Sequence, residues 1–512
     1  MNRYNILTKN AIILAAGFGM RMIPINIETP KGLVEVSGVP LIERLICQLH
    51  DAGISDITIV VGYLKDQFSY LEDKYHVNLV YNPEYSEKNN LHSLTLVSEK
   101  LSNSFILPCD IWCKDNPFKT ANSGTSWYMV YEDSNEEIGK PFWKAMTGIA
   151  YVTEEQSEKM KQRLHLLDSD TMYQDSFWEE VLYDNNVFLP LPKLVSKNQI
   201  HQINTFEDLR VIDEQSEHLQ SDAIDIICKS LNVKSEDISQ ITALKKGMTN
   251  RSFRFTCHNK KYIMRIPGEG TDLLINRREE AEVYKALAKY QISDDIIYIN
   301  PDNGYKITEF LYEARNCDVG NKNDLVKCMD KLRSFHKLEL VVDHRFDIFG
   351  QILFYEQLRL GNSSVYPTYE NVKVDVFALK EYIEKHVESE VLTHIDAVPD
   401  NFLIVEKDGK EDIRLIDWEY AGMQDPHVDV AMFCIYALFS RQEVDELIDI
   451  YFEGKTTEEI RMKIYAYIAA CGLLWSNWCE YKSTLGVEFG NYSIAQYKYA
   501  EEYSQLVLDY IS

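Results

Sequence analysis

The sequence changes its periodicity once, near residue 212, and no single fold satisfies both patterns. Up to residue 110, short apolar runs alternate with helix-period segments. AIILAA (11–16) is wholly apolar, as in a strand buried on both faces. Pro40 opens a helix that sets Leu41, Ile42, Leu45, Ile46 and Leu49 on one face, and Gly53 closes it. ITIVVGY (57–63), a helix through Leu71, VNLVYN (77–82), another helix and FILPCD (105–110) follow. Repeated strand–helix units imply an α/β, doubly wound, mostly parallel sheet with its ligand at the carboxyl edge. The polar stretch IDEQSEHLQSD (212–222) reads as a linker. Beyond it, RSFRFTC and YIMRIPG alternate with period two around HNKK, an antiparallel hairpin. A helix is expected from Arg277 to Tyr290, and after residue 320 helices dominate. The expected domains are therefore an α/β unit over 1–215 and an α+β unit over 222–512. The second has a small antiparallel-sheet lobe to about residue 312 and a large helical lobe from about 313.

A chain of 512 residues exceeds one hydrophobic core, which agrees with two domains. The net charge of −27 argues against nucleic acid or an anionic membrane as partner. Any anionic substrate must then be met by local Arg, Lys, metal ions and backbone N–H groups. A cationic substrate is drawn to such a surface. The ten cysteines lie scattered, mostly in apolar runs, and Cys109 with Cys113 has no second pair to complete a zinc set. MNRYNILTKN runs straight into a strand without a signal-peptide pattern. The most apolar window, Val430–Phe439, is far short of the roughly 20 residues of a membrane helix. A cytoplasmic enzyme without membrane insertion is expected; its oligomeric state is not legible.

The chemistry concentrates in LTHIDAVPDNFLIV (392–405) and, one short hairpin later, RLIDWEY (414–420). Phosphoryl transfer needs positioned phosphates, Mg²⁺, and a carboxylate that receives the acceptor's hydroxyl proton. Asp396 and Asn401 are five residues apart on one loop, so the Asp can face the acceptor while the Asn reaches back toward a metal. Asp417 ends the second hairpin strand opposite Asn401 and can bridge Mg²⁺ to the nucleotide. Asp and Asn also occur as plain turn residues; the combination with His394, the hairpin and Asp417 favours chemistry.

These residues carry a resemblance. HIDAVPDN fits the H-x-D-x-x-x-x-N loop of aminoglycoside phosphotransferases and choline/ethanolamine kinases, and LIDWEYAGMQDPHVDVA resembles the bacterial choline kinases. The resemblance implies a protein-kinase-like fold, Asp396 as catalytic base, Asn401 and Asp417 as magnesium ligands, and His394 and Asp429 as props of the loop. KKGMTNRSF (245–253) is similar to the family's nucleotide loop, with Thr249 and Asn250 near the phosphates of ATP. It implies Arg265 as the phosphate-holding base, paired with a helix glutamate. Glu280 is taken for that partner, although periodicity does not separate it from Glu279. ITEFLYEA (307–314) resembles the hinge that meets adenine, around Glu309–Leu311. Trp475 and Trp478, at i and i+3, are either core or an aromatic cage for a quaternary ammonium ion, and they match the cage position of similar kinases. Trp418 and Glu419 are candidates for a further wall and the charge. Choline is the expected acceptor, ethanolamine second. Helices after Asp417 argue against a protein kinase.

In the first half, LAAGFGMRM follows a strand, so backbone N–H groups from Ala15, Ala16, Gly17 and Gly19 would face the phosphate edge. No third glycine completes a dinucleotide fingerprint. With Arg21 and the Lys31 of ETPKGLVEV, the stretch resembles the sugar-nucleotide and phosphocholine nucleotidyltransferases. The resemblance implies Arg21 and Lys31 as catalytic cations for CTP, Asn90 and Ser93 in NPEYSEKNNLHSL as nucleotide contacts, and Asp110 as a Mg²⁺ ligand. It departs at HQINTFEDL, where Asn204 stands in place of the second metal aspartate, which weakens the site if the amide ligates. Trp143 is an aromatic candidate for choline. The reading is a bifunctional choline kinase and phosphocholine cytidylyltransferase that makes CDP-choline. The alternatives are a kinase with a non-catalytic nucleotide-binding N-terminal domain, or a phosphotransferase for another amino-alcohol or an aminoglycoside.

Overall fold

The computed structural model describes residues 8, 10–120, 124–132, 146–184, 187–188, 190–244, 250–268, 271, 274–359, 361–407, 409–485, 487 and 489–512. The chain divides into two compact units. One comprises residues 1–246 with 252–260, and the other 247–251 with 261–512.

The first unit contains β1 (Asn10–Ala15), α1 (Leu41–Asp51), β2 (Ile57–Val61), β3 (Asn78–Tyr81), α2 (Asn90–Thr95), β4 (Ser104–Pro108), β5 (Ile111–Cys113), β6 (Trp127–Tyr131), β7 (Met146–Val152), α3 (Glu154–Asp168), β8 (Leu191–Val195), β9 (Ile200–Gln202) and α4 (Phe206–Ile212). Seven strands form one sheet in the order β8-β6-β7-β4-β1-β2-β3. β1 lies parallel to both β2 and β4, as its buried apolar run predicts, and β7 introduces the antiparallel pairings with β4 and β6. Ala11, Ile13 and Ala15 pack with the α1 stripe of Ile42, Leu45, Ile46 and Leu49. Ile12 and Leu14 pack on the opposite face with Leu91 and Leu94 of α2 and Met160 and Leu164 of α3. Helices thus cover both faces, and each wholly buried Leu or Ile contributes roughly 1.5–3 kcal/mol. A small ribbon of β5 and β9, with Gln202 opposite Ile111, brings the chain after β9 beside the carboxyl edge of β4. After α4, β10 (Ile238–Ala243) and β11 (Asn250–Cys257) pair antiparallel.

The second unit begins with β12 (Lys260–Pro267), α5 (Arg277–Leu287), β13 (Ile296–Ile299) and β14 (Lys306–Glu309), the strands running antiparallel with β14 between the other two. α5 is three residues shorter than expected because the chain turns at Ala288–Tyr290. Then follow α6 (Lys322–His336), α7 (Ile348–Leu358), α8 (Tyr369–His386), β15 (Val391–Thr393), β16 (Phe402–Lys407), β17 (Lys410–Leu415), β18 (Gly422–Gln424), α9 (His427–Tyr436), α10 (Arg441–Tyr451), α11 (Glu458–Ser483) and α12 (Asn491–Ile511). α11 is the axis of this lobe and is buried from Met462 through Lys482. Gly472 lets α12 come close, since a Cβ there would lie 2.7 Å from the Gln496 carbonyl oxygen. Among the described residues no helix is long and apolar enough to cross a membrane.

One buried acid in the first unit makes its stability pH-dependent. The turn Trp178–Leu182 places Glu179 against Tyr128, whose hydroxyl donates to Oε1 at 3.2 Å, while Oε2 is sealed without a partner. Burial pushes this carboxyl up to about 7. The unfolded chain sheds the proton near pH 4.5 and the folded chain only near 7, so stability falls as pH rises between those values. Glu179→Gln should therefore be more stable than the parent at pH 8, by on the order of 2 kcal/mol, and level with it at pH 4. Urea unfolding at the two pH values measures both.

Candidate functional site

The first unit carries a cavity of about 490 Å³ at the carboxyl edge of β1 and β4. Ala15, Ala16, Gly17 and Gly19 form its rim, and Gly19 takes φ +69°, where a side chain would be strained. Arg21, Lys31, Asn90, Ser93, Asp110 and Asn204 line it as well, so the structure gathers the glycine loop and these six residues around one space. Ser93 Oγ accepts from Asn82 Nδ2 at 3.0 Å, and Asn90 Oδ1 accepts from the Trp178 N–H at 2.8 Å. Tyr85, Asp175 and Phe177 join the lining without having been foreseen, because they lie on loops with no periodic signal. Trp143 lies outside the described residues.

Lys31 Nζ forms an ion pair with Asp110 Oδ2 and donates to Asn204 Oδ1 at 2.8 Å. Arg21 Nη2 donates to the same Asn204 oxygen at 2.8 Å. Asn204, expected as a metal ligand, stands here with two cationic donors on an amide oxygen that has two lone pairs. Asp110 does fit a hard cation, since its Oδ1 is buried without a partner among the described residues and Mg²⁺ is commonly held by one carboxylate, water and substrate phosphates. No group of three acidic, His or Cys ligands exists among the described residues.

In the second unit the loop between β15 and β16 is held from behind. Asp429, in the first turn of α9, accepts from the backbone N–H of His394 (2.9 Å) and of Ile395 (2.7 Å) and from His336 Nε2 (2.9 Å). Ile395 sits at φ +65°, a costly conformation for a β-branched residue that these bonds enforce. His394 is fully buried, and its Nε2 donates to the Ile416 carbonyl at 2.9 Å. Strand register sets Phe402 opposite Leu415, and Ile416 N–H donates to the Asn401 carbonyl at 3.0 Å, so Asn401 and Asp417 flank one point of the hairpin. Asn401 Nδ2 donates to Asp396 Oδ2 at 3.1 Å and to its carbonyl at 2.9 Å. Asp396 Oδ1 has no hydrogen-bond partner among the described residues. Burial, with Asp417 and Glu419 behind it, pushes Asp396 up to about 8. Two carboxylates and an amide oxygen with unused lone pairs are a donor set suited to Mg²⁺.

Beside this loop lies a buried ionic network. Arg265 grips Glu280 with both terminal nitrogens, at 2.5 and 2.7 Å, which settles the choice against Glu279. Burial opposes the charge on Glu280, but Arg265 and Lys306 hold it down at about 2. Arg265 also lies 3.7 Å from Asp417. Arg277 and Lys306 are members that sequence reading missed: Arg277 reaches Glu280 (3.2 Å) and Glu419 (3.4 Å), and Lys306 Nζ donates to the Tyr284 hydroxyl at 2.6 Å. Asn250 is tied to Glu419 through its Nδ2 at 2.9 Å, and Thr249 lies outside the described residues. Glu309 ends β14, and Phe310 N–H donates to the Lys261 carbonyl, so residues Glu309–Leu311 leave the strand edge together.

The aromatic candidates separate. Trp475 meets Tyr420, Tyr436 and Trp478 edge-on, at centroid distances of 5.7, 6.2 and 5.5 Å. Trp478 rests on Phe489, and Tyr436 on Tyr492. Burial and then the Asp396 charge push the Tyr436 hydroxyl upward, which places this cluster within the field of Asp396. Both tryptophans are almost wholly buried, while Tyr420, Tyr436 and Tyr492 remain partly exposed, so the tyrosines form the accessible layer. Trp418 is a correction. It is fully buried under the loop, against Phe335 and the His394 ring, with Nε1 donating to the Leu415 carbonyl, and presents no wall to a ligand. Glu419 is another: Arg277 at 3.4 Å and Arg265 at 3.8 Å already share its charge, so it does not stand free for an ammonium ion.

Burial pushes the His394 imidazole down to about 4. The unfolded chain takes up that proton through pH 6.5, the folded chain only near 4, so the contribution of neutral His394 is complete above 6.5 and drains away between those values. Urea unfolding of this unit should lose on the order of 3 kcal/mol from His394 over that window. Asp429→Asn should cost about 2–4 kcal/mol at pH 7 by removing charge from three donated hydrogen bonds. An unchanged urea midpoint would show that the clamp does not hold the loop.

Residues 241–471 match the family model of choline/ethanolamine kinases, and residues 11–117 that of MobA-like NTP transferase domains. The chain is 34% identical over 221 residues to the choline-phosphate cytidylyltransferase of Streptococcus pneumoniae (strain ATCC BAA-255 / R6), spanning 40% of this chain and 96% of that protein. It is 34% identical over 225 residues to the 2-aminoethylphosphonate cytidylyltransferase of Lancefieldella rimae, spanning 40% of this chain and 92% of that one. The crystal structure of the choline kinase LicA from Streptococcus pneumoniae is 28% identical, with a TM-score of 0.48, and covers 56% of this chain and 100% of that one. The chain belongs to the choline-phosphate cytidylyltransferase family through its N-terminal region, and the same polypeptide carries a C-terminal region that matches the choline/ethanolamine kinase model.

Proposed function

We propose that the phosphotransferase domain, residues 222–512, moves the γ-phosphoryl group of ATP to the hydroxyl of choline. The nucleotidyltransferase domain, residues 1–215, then joins the resulting phosphocholine to the cytidylyl group of CTP, releasing CDP-choline and pyrophosphate. The observation that carries this reading is the partnerless Asp396 oxygen beside the Tyr420–Tyr436–Trp475 cluster. A quaternary ammonium ion is held by aromatic faces and a nearby negative charge. A cationic acceptor also offsets the repulsion among Asp396, Asp417 and Glu419, and so favours the ionised base. Asp396 accepts the choline hydroxyl proton as the oxygen attacks phosphorus. Asn401 and Asp417 hold Mg²⁺, which when bound neutralises charge on the transferring phosphates. Arg265, positioned by Glu280, faces the phosphates, Thr249 and Asn250 flank them, and the backbone from Glu309 to Leu311 receives adenine.

In the other domain the phosphocholine oxygen attacks the α-phosphorus of CTP in line, and no covalent intermediate is required. Arg21 and Lys31 offset the charge on the transferring group. The glycine loop with Asn90 and Ser93 receives the nucleotide, and Asp110 holds Mg²⁺. The fusion supports choline as the common unit, because the first reaction supplies the phosphomonoester that the second consumes. The enzyme is read as cytoplasmic, with small-molecule substrates and neither nucleic-acid partner nor membrane insertion.

Incubation with choline, ATP, CTP and Mg²⁺ should yield phosphocholine and pyrophosphate, followed separately, and 2-aminoethylphosphonate offered with CTP should compete poorly with phosphocholine. Phosphocholine without pyrophosphate would leave the N-terminal domain as a binding module. Trp475→Ala should raise KM for choline roughly tenfold, matching a cation–π loss of about 1–2 kcal/mol, with KM for ATP little changed. Choline used no better than ethanolamine or kanamycin would sink the cage.

A further inference from the structure

Arg21 and Lys31 are far apart in sequence from Asn204, yet both donate to its single amide oxygen at 2.8 Å. That oxygen is itself fixed from behind. The Ile203 N–H donates to the Asp110 carbonyl at 2.8 Å, and the N–H groups of Asn204 and Thr205 both donate to Asp208 Oδ2, at 2.9 and 2.8 Å. Thr205 returns the bond by accepting from Asp208 N–H, closing the capping box that starts α4. Arg21 is exposed, and among the described residues Asn204 provides its only side-chain hydrogen bond, so without it the guanidinium would roam over many rotamers. A carboxylate at 204 would also hold both cations, but by cancelling the charge that a triphosphate needs. Lys31 already shares its charge with Asp110; a neutral acceptor at 204 orders both cations without cancelling more of it.

We infer that Asn204 is a positioning residue: its amide oxygen pre-orders Arg21 and Lys31 over the cavity to receive the triphosphate of a nucleoside triphosphate, and it is not a metal ligand. The inference rests on the nucleotidyl-transfer reading for its substrate class. It accounts for the departure at this position as a change of device, in which two ordered cations do the work of a second carboxylate and its metal. Asp110 remains the carboxylate paired with Lys31 in the site.

Titration of the full-length protein with CTP, by calorimetry in EDTA and again in Mg²⁺, separates the two roles. Loss of the signal in Arg21→Ala assigns it to this cavity. Asn204→Ala should weaken CTP about tenfold in both buffers, since one charge-assisted contact to each cation is lost, with the thermal midpoint unchanged. Asn204→Asp should weaken CTP in EDTA, where charge is cancelled, and recover part of it in Mg²⁺. Asp110→Asn should weaken CTP only in Mg²⁺. A loss in Asn204→Ala confined to Mg²⁺ would make Asn204 a ligand and overturn the inference, as would no loss in either buffer. If the expected pattern appears but CTP and phosphocholine yield no pyrophosphate, the transfer reading falls and the clamp stands. If the parent protein takes no CTP in either buffer, both fall.

Discussion

The loop that carries Asp396 in the second unit exists in its observed form because one carboxylate is buried beneath it. Asp429 binds two consecutive backbone N–H groups, those of His394 and Ile395, and so fixes a β-branched residue in the left-handed region. Such a conformation costs of order 1–3 kcal/mol and persists only where the surroundings determine it. The turn it creates aims Asp396 away from the core and toward Asn401. His394, neutral and sealed, carries the constraint onward to the Ile416 carbonyl, one residue before Asp417. The relative positions of Asp396 and Asp417 therefore trace back to Asp429, with His336 and Tyr451 holding that carboxylate in place.

The two units solve the same electrostatic problem differently. In the second, the cations Arg265, Arg277 and Lys306 are buried among carboxylates, and pairing with Arg265 and Lys306 keeps Glu280 ionised. Removing one partner from such a network leaves an uncompensated buried charge, which is far costlier than the net gain from the intact pair. In the first, Arg21 and Lys31 stand at an open cavity and share a neutral amide. Arg21 is thereby ordered with its charge uncancelled by the amide, while Lys31 also pairs with Asp110. A strongly acidic chain has reason to concentrate its few useful cations in this way, because its overall field repels anions.

Legibility in the sequence followed the range of the interaction. The Asp396–Asn401 spacing, the hairpin and Asp417 are local, and their relation is set by turn geometry and strand register within 22 residues. The glycine loop after β1 was legible for the same reason. Trp418 misled because its neighbours are catalytic candidates while its side chain points into the core, against Phe335 from a distant helix. Arg277 and Lys306 looked like ordinary helix and strand charges, and only their convergence on Glu280 gives them meaning. Tyr436 and Tyr492 come from separate helices and bear no mark in sequence that sets them apart from the other tyrosines.

The sequence by itself determined the two-unit division of labour, the doubly wound sheet, the loop-and-hairpin acid set and the cation pair at the glycine loop, because apolar periodicity and short-range spacing act through the chain's own backbone geometry. Tertiary structure alone decided which glutamate Arg265 takes, which aromatic rings reach the accessible surface beside Asp396, and what Asn204 does with its amide oxygen. Those outcomes depend on groups from 15 to 183 residues apart competing for the same lone pairs and the same buried space, and spacing along the chain carries no record of that competition.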